Sequence, residues 1–252
     1  MMRITWTKLL AIMLITLLTL PSLSLATLAE TTTPPPDIQT SVSVQKAENG
    51  ESWIEYAEVS GLPDADIQET LNAYLRWFSV DVYLDDDPDR AWDTVEGKTS
   101  YTILGDRYLS VRTEYFFNGA SLAHPWSDIQ ALVFDLSIGE PGAQLSDYLP
   151  VDTALREKIL DGSFTLVYPD AEPDDLFARF AEDYVDNADP EYYNINFYLT
   201  DTGVALFLRD RIHAEGDYWV IEASFEKLEG LMTPALVELL PEPETPPETG
   251  QA

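Results

Sequence analysis

Residues 100–117 read SYTILGDRYLSVRTEYFF. Two runs rich in aromatic and β-branched residues, 100–104 and 108–117, flank the pair Gly105-Asp106. Such side chains suit a pleated, half-buried surface, and a glycine-containing pair between them supplies a tight reversal. The stretch predicts a β-hairpin, and the same reading extends in both directions. Upstream, Ser41, Val42, Ser43 and Val44 alternate as a half-buried strand does, and Trp53-Ile54-Glu55-Tyr56-Ala57-Glu58-Val59 forms a second strand. Gly61-Leu62-Pro63 makes a turn and Asp64 is placed to cap a helix. Ile67, Leu71, Tyr74, Leu75 and Phe78 then recur at helical spacing, which predicts an amphipathic helix of about four turns.

Downstream, a strand is expected over 129–136, stopping near 139–142, with short helices over 153–160 and 174–185. A strand pair over 195–200 and 204–209 turns through Asp201-Thr202-Gly203. A strand at 219–223 then leads into a last short helix near 225–231. Hairpins outnumber strand–helix–strand crossovers, and no repeat at a fixed period is present. The expected class is α+β: antiparallel sheets with a few covering helices. Two joined sub-domains are expected, an N-terminal α+β half over 40–118 and a C-terminal half over 119–232.

The ends read differently. Arg3 and Lys8 are the only charges before an apolar run from Leu9 to Leu28, interrupted by Pro21 and followed by Ser22, Ser24 and Ala26. Basic start, apolar middle and small-residue end are the layout of a secretory signal peptide over 1–29, with an uncleaved signal anchor as the alternative. Either way the mature chain is expected outside the cytoplasm. Residues 30–39 form a Pro/Thr linker. The acidic, proline-rich tail 241–252 can bury almost nothing and is expected to be disordered. Its Pro247-Glu248-Thr249-Gly250 end lacks a leading leucine and any apolar stretch after it, so wall anchoring is not expected.

With 45% hydrophobic and 12% aromatic residues, the chain can fill a sizeable core. It has no cysteine, which removes disulfides, thiolate metal sites and thiol nucleophiles. Fourteen basic residues stand against 45 acidic ones, a formal charge of −31. Such a surface repels phosphate backbones and anionic headgroups and attracts basic proteins or divalent cations. Nucleic-acid partners and stable membrane insertion after signal cleavage are therefore not expected.

The order of several short pieces resembles a known family. Trp53-Ile54-Glu55-Tyr56, Val59-Ser60-Gly61-Leu62, and Ile67-Gln68 with Leu71-Asn72 come first. Ala123-His124-Pro125, Val133-Phe134-Asp135-Leu136 with Gly139, and Leu145-Ser146-Asp147 follow. Phe197-Tyr198-Leu199-Thr200-Asp201, Gly203-Val204, and Gly216 before Val220-Ile221 complete the series. Together they resemble the extracytoplasmic domain of RsiV-type anti-sigma factors, found also in PdaC-type peptidoglycan deacetylases, over roughly residues 40 to 231. Two places depart from it: Gly119 is followed by Ala120-Ser121-Leu122 before Ala123-His124, and the usual tyrosine is missing around Arg211-Ile212-His213-Ala214. The resemblance implies a cell-envelope sensing or binding module whose relatives receive lysozyme, a basic enzyme. Only eight residues precede the apolar segment, too few for a cytoplasmic sigma-binding domain, and a deacetylase domain is not expected either.

Several constellations bear on chemistry. Asp85, Asp87, Asp89, Asp93 and Glu96 fall at positions one, three, five, nine and twelve of a calcium-loop template. Arg90 stands where the template wants glycine, and a solvated acidic loop is the alternative. Ser121, His124 and Asp128 contain the residue types of a hydroxyl–imidazole–carboxylate relay, but no Gly-x-Ser-x-Gly elbow supports one. A zinc site from His124, His213 and a carboxylate has no supporting spacing. With so many acidic residues, a carboxylate pair suited to glycoside hydrolysis carries no signal. Tyr115, Asn118, His124 and Trp126 flank one loop and are candidate ligand-binding residues, since aromatics stack on sugar rings or anchor a protein partner. The expected function is a secreted, non-enzymatic envelope module for a basic protein or peptidoglycan, needing no cofactor. The alternatives are a cell-wall hydrolase or esterase using carboxylates or His124, and a calcium-stabilised surface protein.

Overall fold

The computed structural model describes residues 38–48, 50–84, 92–120, 122, 124–141, 144–169, 175–186, 196–209 and 218–240. The leader, most of the linker, Asp85, Asp87, Asp89, Ser121, His213 and the tail lie outside them. Among the described residues no helix is long and apolar enough to cross a membrane.

Strands β1 (Gln39–Lys46) and β2 (Trp53–Ser60) form the first antiparallel pair. Helix α1 (Ala65–Arg76) follows, runs on through a π-helical turn (Trp77–Asp81) and ends in the short α2 (Val82–Leu84). Asp64 caps α1 as its position predicts, accepting from the backbone N–H of Asp66 at 2.9 Å and of Ile67 at 3.2 Å. Asp66 in the first turn and Arg76 in the last suit the helix dipole. Leu71 and Leu75 are fully buried on the inner face.

The quoted stretch forms the hairpin of β3 (Thr94–Leu104) and β4 (Tyr108–Asn118). Gly105 and Asp106 both sit at positive φ, 58° and 53°. Glycine and aspartate tolerate that region better than most residues, which is why the chain reverses there. β4 continues antiparallel into β5 (Trp126–Asp135), which meets the two-residue β6 (Glu140–Pro141). The sheet order is β1-β2-β3-β4-β5-β6. The sheet therefore runs across residue 118, where sequence reading placed a boundary between halves. One pairing departs from the antiparallel expectation: β2 and β3 are parallel, through Trp53↔Glu96 and Ile54↔Gly97. The intervening helix carries the chain back, making this one strand–helix–strand crossover.

A second sheet has the order β7-β10-β9-β8: β7 (Thr165–Tyr168), β8 (Phe197–Leu199), β9 (Gly203–Arg209) and β10 (Tyr218–Ser224). Its helices are α3 (Leu145–Tyr148), α4 (Thr153–Leu160), α5 (Leu176–Ala181) and α6 (Pro234–Val237). The helix expected near 225–231 is instead a run of turns ending at Gly230, whose φ of +81° breaks helical geometry. The helix lies just beyond, capped by Thr233 with Pro234 in its first turn. The helix expected over 174–185 is α5 followed by a π-helical turn, Glu182–Asp186. β7 was not foreseen; four residues between Gly162-Ser163 and Pro169 carry too short a pattern.

The architecture is α+β. Side-chain alternation assigns the layers. Leu109 and Val111 of β4, with Leu132 and Phe134 of β5, pack on Leu71, Leu75 and Phe78. Ile129 and Ala131, of opposite parity on β5, pack on Tyr198, Ala205, Phe207, Tyr218 and Val220 of the second sheet. Val204, Leu206, Trp219 and Ile221 face the other way, into the core formed with α3 to α6.

Candidate functional site

Of the residues that sequence reading grouped around one loop, Tyr115 and Trp126 belong to one hydrophobic cluster with Phe117. Tyr115 is 2% exposed, its hydroxyl donates to the Ser79 carbonyl at 2.9 Å, and burial pushes its pKa well up. It belongs to the core. A hydroxyl chain beside it, Ser79 to Thr113 to Thr99 at 3.3 and 2.8 Å, ties the π-helical turn to the sheet. Trp126 stacks on Phe117 with ring centroids 4.1 Å apart and planes at 13°. That contact is packing as well. Asn118 ends β4, and its carbonyl accepts from Asp93 N–H at 2.9 Å. His124 is exposed, with Nδ1 3.0 Å from the Pro125 carbonyl, which only accepts, so Nδ1 is the donor there. The Asp128 carboxylate accepts from Ile129 N–H at 2.8 Å and meets Arg209 Nε at 3.2 Å. It is thus engaged across the sheets by an arginine.

Of the calcium-template residues, Asp93 and Glu96 are described. Asp93 Oδ2 accepts from Ala120 N–H at 2.6 Å, closing the turn after β4. Glu96 is exposed on β3 opposite Phe116. Among the described residues no three His, Asp or Glu side chains converge as a metal group.

A different place brings polar groups together. Between the first sheet and the second lies a cleft of about 320 Å³, lined by Ser100 and Thr102 of β3, Ser110 and Arg112 of β4, Val167 of β7, Tyr198 of β8 and Glu222 of β10, among others. Arg112 is its centre. Nε donates to Ser100 Oγ at 2.8 Å, Nη1 donates to Tyr198 Oη at 2.6 Å, and Nη2 lies 3.5 Å from Glu114 Oε1. The guanidinium carbon stands 4.9 Å over the Tyr198 ring. Burial alone would lower the Arg112 pKa; Tyr198 and Glu114 outweigh it and the value is raised. Glu222 Oε1 accepts from Thr200 Oγ1 at 2.9 Å, and Leu199 N–H donates to Ser110 Oγ at 2.8 Å across the two sheets. Tyr168 of β7 and Tyr218 of β10 stack at 4.7 Å. Desolvation pushes the Tyr218 pKa up, and nearby Glu114 adds to it.

Sequence reading missed this site. Its only local signal was the polar parity of Ser110, Arg112 and Glu114 between the apolar Leu109, Val111 and Tyr115 of one strand, which marks a second face that is not simply core.

The surface charge is organised simply. Asp128 is the one buried carboxylate among the described residues. Five arginines stand beside a carboxylate: Arg76 with Asp81, Arg107 with Asp135, Arg112 with Glu114, Arg156 with Asp186 and Arg209 with Asp128. Much of the scarce positive charge is thereby neutralised locally, and the acidic excess faces solvent.

No family model and no curated relative matches the sequence. Solved structures similar to it include two members of one family. One is a DUF3298 family protein from Bacteroides fragilis, 14% identical, with a TM-score of 0.48 over 81% of this chain and 96% of that one. The other is a DUF3298 family protein from Pseudomonas aeruginosa, also 14% identical, with a TM-score of 0.46 over 81% of this chain and 97% of that one.

Proposed function

We propose that the chain is an exported, non-enzymatic binding module of the cell envelope, and that its partner is a basic protein of the lysozyme kind. The observation that carries this is the charge: −31 overall, with described arginines tied to neighbouring carboxylates and the acidic excess on the outside. A field of one sign accelerates encounter with a partner of the other sign and disfavours wrong ones. The leader-like start and the RsiV-type resemblance support this compartment and this class of partner. The local engagement of Arg112, Glu222 and Asp128 supports contact in preference to bond-breaking, since each is held by a partner group in the fold.

The test is binding of the purified protein to immobilised lysozyme at low and moderate salt, with cytochrome c as a basic control of unrelated shape. Saturable binding is expected, with an association rate that falls as salt shortens the screening length below about 10 Å. Absence of binding at both salts would remove lysozyme as the partner. Equal retention of cytochrome c would reduce the interaction to ion exchange.

A further inference from the structure

The acidic exterior leaves the inter-sheet cleft unassigned. The geometry points to it as a site for a neutral saccharide, reached independently of any protein partner. Three features select that ligand class.

The first is charge balance at short range. Arg112 and Glu222 line the same cleft and Glu114 stands 3.5 Å from Arg112, so an anion meets carboxylates and a cation meets the guanidinium. A neutral ligand escapes both penalties, which matter most where water is partly excluded.

The second is the pattern of unspent hydrogen-bonding capacity. Arg112 has five N–H donors in a fixed fork. Its contacts with Ser100, Tyr198 and Glu114 leave donors on both terminal nitrogens. Ser110 is 3% exposed and its Oγ accepts from Leu199 N–H; its own proton has no acceptor among the described residues. Tyr198 Oη accepts from Arg112 and likewise keeps its proton. Glu222 Oε1 accepts the hydrogen bond from Thr200 Oγ1, and Oε2 remains an open acceptor. Donors and an acceptor interleaved within one small space match a ring bearing neighbouring hydroxyls, each of which both donates and accepts. Every one of these groups is also anchored by a second contact inside the fold, so little ordering cost remains when a ligand arrives.

The third is shape. About 320 Å³ is at the lower end of small-molecule sites. Val167 of β7, 49% exposed, adds an apolar side chain to the lining.

The probe is chitotriose titrated into the full-length protein, followed by saturation-transfer NMR and calorimetry, with maltotriose as a second neutral glycan and glutamate and lysine as charged controls. Saturable binding of a neutral glycan is expected, with neither charged control competing. Glu222→Gln is nearly isosteric and partly exposed, and is expected to weaken glycan binding at least tenfold while leaving the melting temperature in place. Tyr198→Phe keeps the ring, removes one donor, and is expected to weaken it about fivefold. Both variants are expected to retain lysozyme binding, which separates failure of this site from failure of the protein-partner reading. No saturable signal from either glycan at 10-millimolar order, or glycan binding indifferent to Glu222→Gln and Tyr198→Phe alike, overturns the assignment.

Discussion

The two sheets are joined by a charged clamp whose removal has a calculable consequence. Arg209 of β9 reaches the first sheet, where Nε lies 3.2 Å from Asp128 Oδ1 and donates to the Ile129 carbonyl at 2.8 Å. The Asp128 side chain is 5% exposed and that of Arg209 22%. Breaking a buried pair by deleting one partner costs about 3–5 kcal/mol, because the other charge is left in a poor environment. Arg209 keeps the Ile129 carbonyl and some access to water, so Asp128→Ala should cost about 2–3 kcal/mol. In a chain of this size that lowers the melting temperature by about 4–12 °C. The assay is urea unfolding at neutral pH of the native protein, Asp128→Ala, Arg209→Met and the double variant. The double variant should cost less than the two singles together, with a coupling energy of at least about 1 kcal/mol. Additive single effects, closing within about 0.3 kcal/mol, would refute the clamp, and so would an Asp128→Ala cost below about 0.5 kcal/mol.

Gly203 admits no side chain: a Cβ there would lie 2.1 Å from the Ala223 carbonyl oxygen of β10, a backbone atom that cannot rotate away. Gly203→Ala should cost about 1–3 kcal/mol or more, and an unchanged melting temperature would contradict the β9–β10 register. Asp135 has a lowered pKa: burial opposes its ionisation, but hydrogen bonds from Ser137 and Arg107 outweigh it. Its folded value is below the unfolded one, so its stabilising contribution is present above about pH 3.9 and lost as pH falls through the folded value. Asp135→Asn should therefore be less stable than the native protein at neutral pH in urea unfolding, with the gap narrowing in acid; a gap independent of pH would count against this account. The proposed export predicts that the chain made in a bacterial host is recovered outside the cytoplasm, shortened by about the length of a leader, as mass spectrometry of the fractions would show.

Local chemistry made much of the fold legible. The hairpin needed only residues 100–117, because period-two apolar runs and a pair tolerant of positive φ act within one turn of chain. Helix α1 needed only the spacing of Ile67, Leu71 and Leu75 and the cap Asp64. The terminal helix was misplaced by a few residues because Leu228 and Leu231 read as helical spacing, while Gly230 terminates the turn. Short elements such as β7 left too few residues for a period to show. The parallel β2–β3 pairing depends on where the crossover helix docks, which is a property of the assembled sheet.

The site followed the opposite course. Aromatics beside the Asn118–His124 loop looked available in one dimension, yet strand parity turned Tyr115 and Phe117 to the helix side, where both are buried. Arg112 and Tyr198 are 86 residues apart and meet only because β4 and β8 face one another. From sequence alone came the acidic excess, the absence of thiols, the leader-like start and the α+β pattern, since composition and short-range periodicity need no partner. The tertiary structure alone decided which polar groups share a cleft and which carboxylate is buried. Hydrogen bonds and ion pairs form through space, and the distances that govern them exist only once the sheets have packed.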